Sequence, residues 1–189
     1  MKFLIVSGNP KKEGLCADIT AIIENGARDG GAEVEVLTVG GLARCHVCGD
    51  GWGICRDENK CAFGGDGFDE AQKKMEEADA ICLVTPVYWW EVEESLKGFI
   101  DRLRRCEFSF LSPDGALAGK QTLLVTSAGG SGNGLLTALE QLDRFCQHVG
   151  LTVFDRFGFN RWNHGYKKPA VYAAARAIAE GQVNGATVV

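Results

Sequence analysis

No stretch of the 189 residues approaches the roughly 18 consecutive apolar residues of a membrane-spanning helix. Met1-Lys2-Phe3-Leu4-Ile5-Val6 carries one positive charge and then too short an apolar run for a signal peptide, so the expectation is a cytoplasmic protein. Positive charge is in deficit: 20 Lys and Arg face 25 Asp and Glu, a net −5. That balance argues against a general electrostatic grip on nucleic acid or an anionic membrane. Proline is scarce, with four residues, and histidine scarcer, with three. His46, His148 and His164 fall into no Ser/His/Asp or Cys/His pattern that a sequence reveals. The phosphate-loop pattern G-x4-G-K-[ST] is missing, as is G-x-G-x-x-G. No internal repeat is evident.

What is present is a globular composition, 46% hydrophobic and 24% charged, with enough residues to bury a core without disulfide or metal. The expectation is one domain over 1–189. Its 25 glycines cluster at 49–53, 64–67 and 129–134 and mark loops. Its eight cysteines, in a reducing compartment, are expected as thiols, metal ligands or redox groups.

Periodicity predicts strands at 2–6, 33–39, 80–85 (stopped by Pro86), 121–126 and 151–159. It predicts helices at 15–27, 68–78, 91–106, 135–149 and 170–180. Residues 40–66 show no period and read as a Cys- and Gly-rich insertion. Strands alternating with helices imply an α/β doubly wound, five-stranded parallel sheet with helices on both faces. Ligands in such sheets sit beyond the carboxyl ends of the strands, and three loops, 7–14, 85–91 and 127–134, are expected to open there.

Loop 7–14 joins a strand to a helix and is either a backbone phosphate cradle or an ordinary connection. Tyr88-Trp89-Trp90 places three rings in a row, so at least one is expected to be left for a planar ligand or a subunit contact. In 127–134 the glycines let backbone N–H groups approach a ligand closely.

Together these segments resemble the flavodoxin-like NAD(P)H-dependent FMN reductase family, which includes iron–sulfur flavoproteins. T-P-V-Y-W-W-E-V-E-E-S-L-K-G-F-I-D-R at 85–102 is similar to the family's [ST]-P-[VI]-Y, then K-x-F-[IL]-D-R; Lys97, Phe99, Asp101 and Arg102 fit it. V-S-G-N-P-K-K-E-G is similar to its G-S-P-R-K-x-G loop. The resemblance implies strand order 2-1-3-4-5. It implies an FMN phosphate site from Ser7, Asn9, Lys11 and Gly14, continuing into Leu15 and Cys16. It implies a ring site from Pro86, Val87, Tyr88 and Trp89, with Ser127, Ala128, Gly129 and Gly130 at the ring's polar edge. It implies NAD(P)H as donor, a quinone, flavin or other small acceptor, and a homo-oligomer, dimer or tetramer, using the helix of Lys97 to Arg102. The flavin would carry the chemistry, so no catalytic residue is assigned.

Two departures stand out. Leu15 and Cys16 replace the family's Asn-Thr or Asn-Ser, so two phosphate donors are lost. Trp90 is larger than the family usually has and is expected to narrow the space above the ring.

Cys45, Cys48, Cys55 and Cys61 form C-x2-C-x6-C-x5-C. Zinc, an iron–sulfur cluster, a Cys45–Cys48 disulfide and simple reduced thiols all remain open. Iron–sulfur flavoproteins use a tighter spacing in this insertion. Cys82, Cys106 and Cys146 are expected in the core, and His148 as a dipole-compensating cap. Glu91, Glu93 and Glu94 read as a charged helix start. Arg161, Lys167 and Lys168 read as a solvated loop, with neutralisation of a pyridine-nucleotide phosphate as the other reading.

Overall fold

The computed structural model describes residues 1–42, 44–50, 53–106 and 115–183. The parallel strands are β1 (Lys2–Ser7), β2 (Glu33–Thr38), β3 (Ala80–Tyr88), β5 (Gln121–Ala128) and β6 (Thr152–Asn160). They lie in the order β2-β1-β3-β5-β6, the expected 2-1-3-4-5 counted over parallel strands. A two-residue β4 (Glu91–Val92) pairs antiparallel with the end of β3. Helices α1 (Leu15–Asp29) and α6 (His164–Ala179) cover one face. Helices α3 (Phe68–Glu77), α4 (Glu94–Cys106) and α5 (Leu135–Val149) cover the other. A four-residue α2 (Cys55–Glu58) lies within the insertion.

Strand alternation builds two cores. Phe3 and Ile5 of β1, Cys82 and Val84 of β3, and Leu123 and Val125 of β5 meet Ile19, Ile23, Val171 and Ile178. Leu4 and Val6, Ile81 and Leu83, and Leu124 face the other way, towards Phe68, Met75, Leu96, Leu103 and Leu142. β2 is an edge strand. Glu33 and Glu35 are exposed, and Glu35 pairs with Lys74 at 2.6 Å. At the other edge β6 carries a register irregularity opposite Thr122/Leu123, and Arg156 pairs with Asp143.

Some predicted boundaries shift, for visible reasons. β3 does not stop at Pro86 but runs to Tyr88. Val84 O accepts from Gly8 N at 2.9 Å, so Pro86, two residues on, also points its backbone towards the β1 side. There β1 has already left the sheet, and the missing N–H removes no ladder bond. The predicted helix 91–106 begins at Glu94, because Glu91 and Val92 turn back along β3. The predicted helix 170–180 begins at His164, and Pro169 forfeits one backbone bond in its second turn. Arg161 therefore lies in the turn before that helix, while Lys167 and Lys168 lie inside it.

The helices α1 and α6 approach closely at Gly26, where an added Cβ would overlap the Tyr172 carbonyl. Gly26→Ala is expected to lower stability by about 1–3 kcal/mol through overpacking, read from urea unfolding; an unchanged midpoint would refute the contact.

Candidate functional site

β1 and β3 are neighbours, but their following helices go to opposite faces, and a crevice opens between them at the carboxyl edge. Ser7 ends β1 with its side chain buried under the loop; its Oγ accepts from Asn9 N at 3.2 Å. The Asn9 side chain folds the loop on itself, donating to Lys11 O at 2.6 Å and accepting from Lys11 N at 3.2 Å. Among the described residues Lys11 forms no ion pair.

Gly14 precedes α1 with φ 99°, a conformation that suits glycine, and an added Cβ there would meet nothing within 4 Å. No side chain caps α1, and the first intrahelical bond is Asp18 N to Gly14 O at 3.0 Å. The N–H groups just before it form no intrahelical bond and carry the positive end of the helix dipole.

The replacements at 15 and 16 do not reach into that cradle. Leu15 packs against the core under α1 and α6. Cys16 is buried and hydrogen-bonds to the side chain of Ser127 at the end of β5. Burial raises the Cys16 thiol from 9.0 to about 11, with the Ser127 bond opposing, so it is neutral at physiological pH. Ser127 thus holds Cys16 with its side chain, leaving its backbone at the strand end. Ala128 is buried, whereas Gly129 and Gly130 have open space where a Cβ would stand.

Pro86 is buried, Val87 half-buried and Tyr88 exposed. Trp89 and Trp90 are the two central residues of the β3–β4 hairpin, with φ 50° and 72°. Two positive-φ positions in a two-residue hairpin favour Asn-Gly, and bulky residues there are strained. Both rings stand out, Trp89 at 94% exposure. The turn is held from behind by Gly134, φ 81°, whose Cβ would lie 2.5 Å from Trp90 Cα. It is held from below by Glu93, a buried carboxylate that accepts from Ser95 N and Leu96 N at 3.0 and 3.2 Å and so caps α4. Glu93 N in turn donates to Thr85 Oγ1 at 3.1 Å. Glu93 also flanks the loop below, 3.1 Å from where a Gly8 Cβ would be. Its capping role matches the reading of Glu93 and Glu94 as a helix start, whereas Glu91 lies in β4. Gly134 escaped notice because a single glycine gives no sign of what it touches.

The insertion packs on α4 around Arg102, which is 1% exposed. Its guanidinium pairs with Asp66, donates to Phe63 O, stacks 4.0 Å over Phe68 and donates from Nε to Cys61 Sγ at 3.2 Å. Cys45, Cys48, Cys55 and Cys61 line one cavity, and Cys106 of α4, expected only as core, joins them. Among the described residues no three Cys, His, Asp or Glu side chains converge to hold a metal ion. Cys82 and Cys146 are buried as expected. His148 is not a charged cap: burial, with the nearby Arg104 charge adding to it, lowers its pKa and disfavours the cation.

The family model described as NADPH-dependent FMN reductase matches residues 1–164. The chain belongs to the NADPH-dependent FMN reductase family. Like its family it is an FMN- and NAD(P)H-dependent oxidoreductase. An iron–sulfur flavoprotein of Methanosarcina thermophila is 33% identical over 86% of this chain and 83% of its own length. A second, from Methanocaldococcus jannaschii, is 31% identical over 77% and 71%. Among solved structures, an NAD(P)H:quinone oxidoreductase from Methanothermobacter marburgensis shares the fold, with TM-score 0.68, 15% identity and 99% of both chains covered. The fold of this FMN reductase family member is accordingly flavodoxin-like. No helix of the described residues is long and apolar enough to cross a membrane.

Replacing Trp89-Trp90 by Asn-Gly is expected to raise stability by about 1–3 kcal/mol, because two strained backbones relax. Equal or lower stability in urea would count against strain. Native protein binds the Cys16 proton more tightly than the unfolded chain does. Stability from this group is therefore intact below about pH 9 and is lost as pH rises towards about 11. Urea midpoints across that range, in the parent and in Cys16→Ala, test this; the variant should show the shallower alkaline decline.

Proposed function

We propose that the crevice between β1 and β3 binds FMN and passes electrons from NAD(P)H to a quinone, a flavin or another small acceptor. The observation that carries this reading is the uncapped amino terminus of α1, open at Gly14, on the same carboxyl edge of neighbouring strands as the exposed Tyr88-Trp89-Trp90 turn. FMN held there would supply the redox chemistry, a two-electron exchange between nicotinamide and acceptor.

The chain's own part is binding and orientation. Backbone N–H groups of 14–16 and the Lys11 cation neutralise the phosphate, which compensates for the side-chain donors lost at Leu15 and Cys16. Tyr88 and Trp89 give the ring a flat wall, with Pro86 and Val87 as its floor. Backbone groups of Ser127 to Gly130 meet the ring's polar edge. Trp90 restricts the space above it and favours flat acceptors. Glu93 serves the cap of α4 and so fixes the start of the helix behind the aromatic turn.

The protein works as a dimer or larger homo-oligomer. A groove of about 700 Å³ beside α4, flanked by Arg44, Lys97, Asp101 and Arg104, supports that reading.

A second reading, electron transfer through an iron–sulfur cluster on Cys45, Cys48, Cys55 and Cys61, draws on the shared cavity of these thiols. It would require Cys61 to leave Arg102.

An absorption spectrum of anaerobically purified protein, before and after adding FMN, separates these readings. Two flavin bands and NAD(P)H oxidation are expected. No flavin uptake would refute the reductase reading, and iron with acid-labile sulfide would favour the second. Tyr88→Ala is expected to weaken FMN binding by about 1–3 kcal/mol; unchanged affinity would remove the ring from that wall.

A further inference from the structure

The turn between β6 and α6 presents a rigid aromatic–cation pair that the flavin site does not use. Trp162 is 64% exposed, and the Arg161 guanidinium stacks over its ring at 4.9 Å. Tyr166, four residues on, is 72% exposed. Exposure of this kind in a floppy loop would mean little, but here the backbone is tied down. Asn160 Oδ1 accepts from Trp162 N and Asn163 N at 3.0 and 2.9 Å. Asn163 Oδ1 accepts from Asn160 N at 2.7 Å, and its amide donates to Gly158 O at 3.1 Å.

The basic residues of this segment divide cleanly. Lys167 donates to Gly158 O at 2.8 Å and Lys168 pairs with Asp18, so both serve the fold. Among the described residues Arg161 forms no ion pair. The same turn holds His164 Nδ1, buried without a hydrogen-bond partner among the described residues.

Position decides what such a pair can serve. The turn lies at the carboxyl end of β6. It lies two strands from β3, about 10 Å from the aromatic turn that borders the ring. The glycine loop fills the interval: a Cβ at Gly134 would strike Trp90, and one at Gly132 would strike Asn160. Both tryptophan-bearing turns thus flank one loop on the carboxyl edge. A ligand here needs a planar aromatic part, an anionic part and enough length to reach the flavin ring.

We propose that Arg161, Trp162 and Tyr166 seat the adenine-nucleotide half of NAD(P)H, with its nicotinamide directed across the glycine loop towards the Tyr88–Trp90 turn. The inference rests on the flavin reading for the direction of the nicotinamide, but the seat itself can be tested without flavin. Arg161 supplies charge complementarity in a chain that is otherwise net acidic, and Trp162 supplies the stacking face.

Calorimetric titration of the flavin-free protein with adenosine 2′,5′-bisphosphate reads the seat directly. Saturable binding is expected, weakened at least tenfold in both Arg161→Ala and Trp162→Ala. FMN titration of the same variants should give the parent affinity, which also shows that they fold. No saturable binding by the parent, or equal affinity in the variants, overturns the proposal. So does dissociation of an oligomer by Trp162→Ala on size exclusion, because the ring would then belong to a contact between copies. A parent that binds the bisphosphate but not FMN would instead remove the flavin reading and leave the nucleotide seat standing.

Discussion

The structure depends on one topological constraint: at β1 the chain reverses its direction of travel across the sheet. After β1 it moves outward to β2 by way of α1. It then returns past β1 to β3 by way of α3 on the opposite face. The connections that leave two adjacent parallel strands are thereby sent to opposite faces and diverge at the carboxyl edge. Everything at the site follows from that divergence. It leaves the start of α1 without a covering element, lets Pro86 sit inside a strand, and gives the β3–β4 hairpin a free side on which to display its rings.

The site is held more firmly than a set of loops would suggest. Glu93 is one small hub: its carboxylate caps α4, its N–H engages Thr85, and it abuts Gly8 of the neighbouring loop. Gly134 is another, admitting the backbone of Trp90 where a side chain would not fit. The Trp89-Trp90 turn is conformationally unfavourable, and such positions persist where surrounding structure over-determines them. The two contacts supply that enforcement.

Much of this was legible in the residues. The succession of strands and helices followed from period, because β1, β3 and β5 are buried on both faces and the long helices have one apolar side. The aromatic turn announced itself because three adjacent rings cannot all be buried. What remained hidden depended on partners distant in sequence. Cys16 looked like a weak phosphate ligand, but its neighbour is Ser127, 111 positions away. Pro86 looked like a stop, yet it faces a gap beyond the end of β1. Cys106 looked like core, and only the fold of the insertion on Arg102 brings it to the other thiols. The spacing of the four insertion cysteines left metal, disulfide and free thiols open, and it gave no sign that Cys61 meets Arg102, 41 residues away.

The two borders of the sheet have a consequence for how copies of the chain associate. Along β2 the outward glutamates, and along β6 the register fault with its charged Arg156–Asp143 pair, spoil both rims as templates for another strand. An intermolecular sheet is thus disfavoured from either side.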